Sequence, residues 1–194
     1  MDNWCNILDE GILKYNVSFA AAMFVLNYEC LKEYVIGQIR EFYSENIHFE
    51  DDKMVCEESL SYKREVRTLD KNIENASLKW FIKENVITHE EYEIYQKIRQ
   101  RRNDITHELL KNLNKGFNEQ DVKLFSALLD MYRKIDKWWI NEIEIPISGN
   151  EIPDDYDMEN VCGGQAIVLS IINNIVLGNE GAKYKEVLES LLKV

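Results

Sequence analysis

Apolar residues recur at spacings of three and four along most of the chain, the period of an amphipathic helix. Between residues 4 and 15 they fall at Trp4, Ile7, Leu8, Ile12 and Tyr15. Asn16–Ser18 interrupts the run, and Ser18 is a candidate N-cap. The next run is broader: Phe19, Met23, Leu26, Cys30, Leu31, Tyr34, Val35, Ile39 and Phe42. It predicts a helix over 19–43 whose stripe is wide enough to be buried against at least two neighbours. Asn46–Glu58 is acidic and mixed and reads as a loop. Periodicity returns over Ser59–Asn85, at Leu60, Val66, Leu69, Ile73, Ala76, Trp80 and Phe81. Thr88, followed three residues later by Glu91, matches a capping box. It opens a helix over 89–113 with Tyr92, Tyr95, Ile98, Ile105, Leu109 and Leu113 as its apolar positions, and Gly116 ends it. Val122, Phe125, Leu128, Leu129, Tyr132, Ile135, Trp138 and Trp139 predict a helix over 119–143.

Breakers cluster after that point. Ile145–Asp157 holds both prolines, Pro146 and Pro153, together with Gly149 and a run of acids, so 146–158 reads as a linker. Two further helices are expected over 159–177 and 183–192. The reading is an all-α protein: a helical bundle over 1–145 with four long helices as its core, and a C-terminal helical extension over 159–194 packed on it. The chain has 194 residues, 45% of them hydrophobic, enough for a sizeable core. Trp138 and Trp139 belong to that core or to an oligomer interface. Gly163-Gly164 lacks the Lys-Ser/Thr of a phosphate loop and marks a close helix approach or a helix start. The acids from Asp154 to Glu159 lack the spacing and central Gly of a calcium loop.

Charge changes the picture. The formal net charge is −12, which argues against coating a long nucleic-acid duplex. It is unevenly spread: residues 61–115 carry 12 basic and 9 acidic side chains, whereas 1–60 and 116–194 are net −8 and −7. A local positive site on an acidic body suits an anionic ligand in a cleft. The four cysteines, Cys5, Cys30, Cys56 and Cys162, show no CxxC and are expected to be reduced, mostly core residues. The N-terminus is acidic and no apolar stretch spans a bilayer, so a cytoplasmic, non-membrane protein is expected.

The one basic block surrounds Arg99–Leu110, which reads RQRRNDITHELL. On a helix, Arg99, Asn103 and His107 share one stripe, and Arg102 and Thr106 a neighbouring one. Arginine presents a donor fork that matches a phosphate. Histidine titrates near neutral pH and serves as general acid or base. Asn103, one turn before His107, can orient its ring or hold a ligand. The set suits attack of an RNA 2′-hydroxyl on the adjacent phosphorus, with His107 moving the proton and Arg102 stabilising the phosphoryl oxygens. Arg99, Arg101 and Thr106 are candidates for substrate binding. No metal is required, and the three histidines (His48, His89, His107) are too scattered to form a metal site. The bland reading is a solvated helix face with contacts from Asp104 or Glu108 to their neighbours.

Arg102-Asn103-x-x-x-His107, on a capped helix in an expected four-helix core, resembles the RxxxxH motif of HEPN domains, which often reads RN-x-x-x-H. The resemblance implies an α-helical bundle of the kind found in prokaryotic toxin–antitoxin, abortive-infection and CRISPR-associated systems. It implies a metal-independent endoribonuclease with no cofactor, with Arg102 and His107 catalytic and Asn103 supporting them. It further implies a homodimer whose two motif helices face each other, and a possible antitoxin or other protein partner. The family includes members without nuclease activity. The alternative is therefore a non-catalytic module that binds a nucleotide, RNA or a protein.

Overall fold

The computed structural model describes residues 15–45, 47–50, 53–107, 118–149, 152 and 156–177. The chain is all-α, with one small two-stranded ribbon among the described residues. Its helices are α1 (Tyr15–Phe42), α2 (Leu60–Tyr62, running on as a π-helical turn over Lys63–Arg67), α3 (Ile73–Lys83), α4 (His89–His107), α5 (Glu119–Trp139) and α6 (Gly164–Leu177). The ribbon pairs β1 (Ile47–Glu50) with β2 (Lys53–Cys56) in antiparallel register, Ile47 opposite Cys56 and Phe49 opposite Met54. It stands where a loop was expected. The alternation in Ile47-His48-Phe49-Glu50 is the strand signal, masked by the surrounding acids.

The chain divides into two compact units. One comprises residues 1–28 and 97–194, the other residues 29–96, with the divisions falling inside α1 and α4. In the second unit the core includes Leu31, Val35, Ile39, Tyr62, Val66, Leu78, Phe81 and Tyr95. The Trp80 indole stacks edge-on to Tyr43 at 6.2 Å and donates to its hydroxyl at 3.2 Å. Tyr95 donates to the buried Glu74 carboxylate at 2.7 Å.

In the first unit, segments of α1, α4, α5 and α6 come together. Phe24 of α1 lies 6.0 Å from Phe125 of α5. Asn27 and Asn173 exchange two side-chain hydrogen bonds, 2.7 and 2.8 Å long, joining α1 to α6. Both are buried, so each amide satisfies the other where water is excluded.

Several expected boundaries move. Ser18 lies inside α1 rather than capping it. The helix expected over 59–85 is two: Asp70 accepts from the Asn72 N–H, and the Asn72 side chain caps α3 by accepting from Asn75 N at 3.0 Å. α3 ends at Lys83 with Glu84 as its cap, and Asn85 just beyond, with φ 59°, is the left-handed stop. The expected linker starts late. α5 runs through a π-turn (Ile140–Glu144) into Ile145–Ser148 and stops at Gly149 with φ 64°. Pro146 has no N–H for the Glu142 carbonyl, and the turn before it widens. The helix expected over 159–177 begins at Gly164. Helices expected over 4–15 and 183–192, the stretch to Leu113 and the stop at Gly116 lie outside the described residues, except that Tyr15 opens α1.

Several side chains depart from expectation. Cys162 is exposed and Cys30 only half-buried, so neither is a core cysteine. Val122 is exposed and the buried face of α5 turns instead through Leu124, Leu128, Met131, Ile135 and Trp139, while Trp138 is half-buried. Gly163 is where two segments approach closely. Its N–H donates to the buried Asp136 carboxylate at 2.7 Å, and a Cβ there would lie 2.7 Å from the other oxygen.

Candidate functional site

α4 starts on a reciprocal cap. The Thr88 hydroxyl accepts from Glu91 N at 3.2 Å and the Glu91 carboxylate accepts from Thr88 N at 2.7 Å. Further along, Ile98 and Ile105 are fully buried, seven residues or two turns apart, and fix which face of the helix turns inward. That leaves Arg99, Arg102 and Asn103 half-buried and Thr106 and His107 exposed.

Arg102 is held from two sides. Its guanidinium lies over the ring of the buried Tyr28, 5.5 Å from the centroid. Its Nη1 donates to Asn103 Oδ1 at 3.0 Å. The Asn103 carbonyl thus serves Arg102, not the ring of His107. Its amide N–H groups make no hydrogen bond with the described residues, and an amide N–H is a donor by chemistry. His107 lies five residues on, about 140° round and about 7.5 Å along the helix from Arg102. One copy of α4 therefore presents the two groups at the margins of one polar surface rather than side by side.

The other candidates sit differently. Arg101 Nε donates to Asp121 Oδ1 at 2.6 Å and its Nη2 to Oδ2 at 3.0 Å, a bidentate pair between α4 and α5. The side chains are 17% and 4% exposed, so Arg101 faces a protein carboxylate and not open solvent. Asp121 also belongs to the capping box of α5: its Oδ2 accepts from Asn118 N at 3.0 Å while the Asn118 side chain accepts from Asp121 N at 3.1 Å. The Thr106 hydroxyl is shared between the carbonyls of Arg102 and Asn103, at 3.1 and 3.0 Å. Asp104 accepts from Gln100 at 2.9 Å, an ordinary contact one turn apart. The structure thus joins Arg102 to Asn103, leaves His107 exposed about one and a half turns further on, ties Arg101 to α5, and turns the Thr106 hydroxyl back on the carbonyls of its own helix.

Tyr28 and Asp121 were not legible as members of this site. Asp121 carried a signal, since Asn118-x-x-Asp121 is a capping pattern that places a carboxylate in the first turn of α5. Tyr28 carried none beyond its place in an apolar stripe. Among the described residues, no helix is long and apolar enough to cross a membrane. No protein-family model, curated protein or solved structure matches the chain.

Proposed function

We propose that this chain is an endoribonuclease of HEPN type that cleaves RNA without a metal ion, as a toxin or a component of phage defence. The observation that carries the reading is the pairing, on one helix, of an exposed His107 with a guanidinium preset by Tyr28 and Asn103. Two copies of α4 across a two-fold axis supply two histidines and two arginines to one cleft, which answers the separation of the two groups within a copy.

In the reaction, His107 takes the proton of a 2′-hydroxyl as its oxygen attacks the adjacent phosphorus. The bond from phosphorus to the 5′-oxygen breaks, and the leaving oxygen takes a proton from the partner subunit's histidine of the same position. Arg102 and the Asn103 amide stabilise charge on the non-bridging oxygens. The products are a 2′,3′-cyclic phosphate and a 5′-hydroxyl.

A second reading draws on a different observation. Arg101 spends two donors on the buried Asp121 carboxylate and the Thr106 hydroxyl bonds to carbonyls of its own helix, which leaves the polar face fewer contacts for a substrate than its sequence offers. Such a face also suits a binding module without turnover, whose partner is an RNA or another protein. End-group analysis separates the two. Purified protein is incubated with several RNAs in excess chelator. Cyclic phosphate ends support the nuclease. Intact RNA throughout shifts the assignment to the binding module.

A further inference from the structure

A polar cluster in the unit of residues 29–96 draws on four segments of the chain. Arg40 lies in the last turn of α1, Glu58 between β2 and α2, Arg67 at the end of the π-turn that follows Tyr62, and Ser77 in α3. The Glu58 carboxylate serves both arginines, with one oxygen 3.4 Å from Arg40 Nη2 and the other 3.5 Å from Arg67 Nε. Both distances exceed the roughly 2.7–2.9 Å of a settled charge-assisted bond. Among the described residues neither arginine has a second carboxylate, so one negative charge stands against two guanidiniums. Arg67 also rides on a π-helical turn, a backbone form found frequently at functional sites.

Donors are in excess here. Arg40 Nε, Tyr62 Oη and Ser77 Oγ are buried and have no hydrogen-bond partner among the described residues. Tyr62 and Ser77 are each 0% exposed. The Tyr62 phenol lies within the fields of Arg40, Glu58 and Arg67, and beside Ser77. Burial pushes it above the ordinary phenol range despite the two arginines, so it keeps its proton and remains a donor. Buried donors without acceptors are rare in native proteins and costly. A water would bring acceptor oxygen but no charge. A phosphate brings several oxygens together with the negative charge that the arginines lack.

We propose that Arg40, Arg67, Tyr62 and Ser77 form a seat for a phosphate dianion, free or at the end of a monoester, on which the Glu58 carboxylate is the incumbent. The guanidiniums are 40% and 37% exposed and give the anion its entry, while the buried hydroxyls take its inner oxygens. Glu58 gives way because the dianion brings more charge to the same two donors. Arg102 and His107 belong to the other unit, and the seat does not rest on their activity.

The test is isothermal titration calorimetry of the full chain with inorganic phosphate, with sodium chloride holding the ionic strength constant. Saturable binding is expected, with a Kd at or below about 1 mM. Tyr62→Phe and Ser77→Ala each remove a hydroxyl without a partner. Both should melt no lower than wild type in the absence of phosphate, yet bind it at least about threefold more weakly. Arg67→Gln should weaken binding at least about tenfold. Glu58→Gln removes the competing carboxylate and should tighten it. Glycerol phosphate binding as well as inorganic phosphate assigns the seat to a monoester, and its failure to compete assigns the seat to the free ion. No heat of binding at about 10 mM phosphate overturns the proposal. So does weaker binding by Glu58→Gln, or binding that survives Arg67→Gln but is lost in Arg102→Ala.

Discussion

Replacing Arg101 with methionine removes one side of the pair that ties α4 to α5. The Asp121 carboxylate, 4% exposed, then keeps the Asn118 N–H as its partner among the described residues. Methionine preserves much of the stem's packing, so the loss isolates the charge. Breaking a buried pair from one side typically costs about 3–5 kcal/mol, because a charge is left without compensation. Arg101 itself is 17% exposed, and water can reach part of the gap, which places the expectation near the lower end, about 3 kcal/mol. In thermal terms this is roughly 6–12 °C for a chain of this size. The assay is urea denaturation followed by far-UV circular dichroism, with Lys123→Met as the control. Lys123 pairs with Glu119 on the surface, side chains 65% and 85% exposed, and should change stability by less than about 0.5 kcal/mol. Combining Arg101→Met with Asp121→Asn completes a double-mutant cycle, and the double variant should be less destabilised than the two single losses added together. An Arg101→Met protein as stable as the control, but with weakened RNA binding, would show that the Arg101–Asp121 pair does not hold α4 to α5 and would return Arg101 to the ligand surface.

Other expectations follow from particular contacts. Gly163→Ala should lose about 1–3 kcal/mol in the same urea assay, because the new Cβ meets the buried, hydrogen-bonded Asp136 carboxylate at 2.7 Å. Asn173→Leu should lose about 1–3 kcal/mol by leaving the buried Asn27 Oδ1 without a donor while its Nδ2 keeps the Met23 carbonyl, and the Asn27→Leu/Asn173→Leu double should lose less than the two singles combined. Glu144 is held above the ordinary carboxylate range, first by burial and then by the Asp136 charge. A raised acid pKa favours folding below the unfolded carboxylate pKa, and that advantage is lost as pH rises through the folded value. Glu144→Gln should therefore stabilise the protein at neutral pH, with the gain vanishing in acid, as read from melting temperatures across pH.

The long helices were legible because burial follows period. Leu31, Val35 and Ile39 are wholly buried in α1 at the spacing their pattern predicts, and the cap at Thr88 forms as its sequence implies. Side chains that bond to nearby backbone were harder to read. Asn72 breaks one apparent helix in two by capping α3, and the apolar pattern across it continues undisturbed because the period ignores caps. At the site, spacing placed Arg102, Asn103 and His107 on one surface. Spacing could not show that Arg101 points to Asp121, since that pairing depends on how α4 meets α5, twenty residues on. It also could not show Tyr28 beneath Arg102, because that contact joins residues far apart in the chain. The cluster around Glu58 was hidden for a related reason: Arg40, Arg67 and Ser77 arrive there from separate elements.

On the proposed function, His107 moves a proton in RNA cleavage. The most direct test is the single-turnover cleavage rate of wild type and His107→Ala on one RNA in excess chelator, with Arg102→Ala alongside. General acid–base catalysis contributes roughly 10²–10⁴-fold, so His107→Ala should fall by at least about 10² while melting at the wild-type temperature. Equal rates for wild type and His107→Ala would rule out His107 as the proton carrier and place any cleavage outside the Arg102–His107 face.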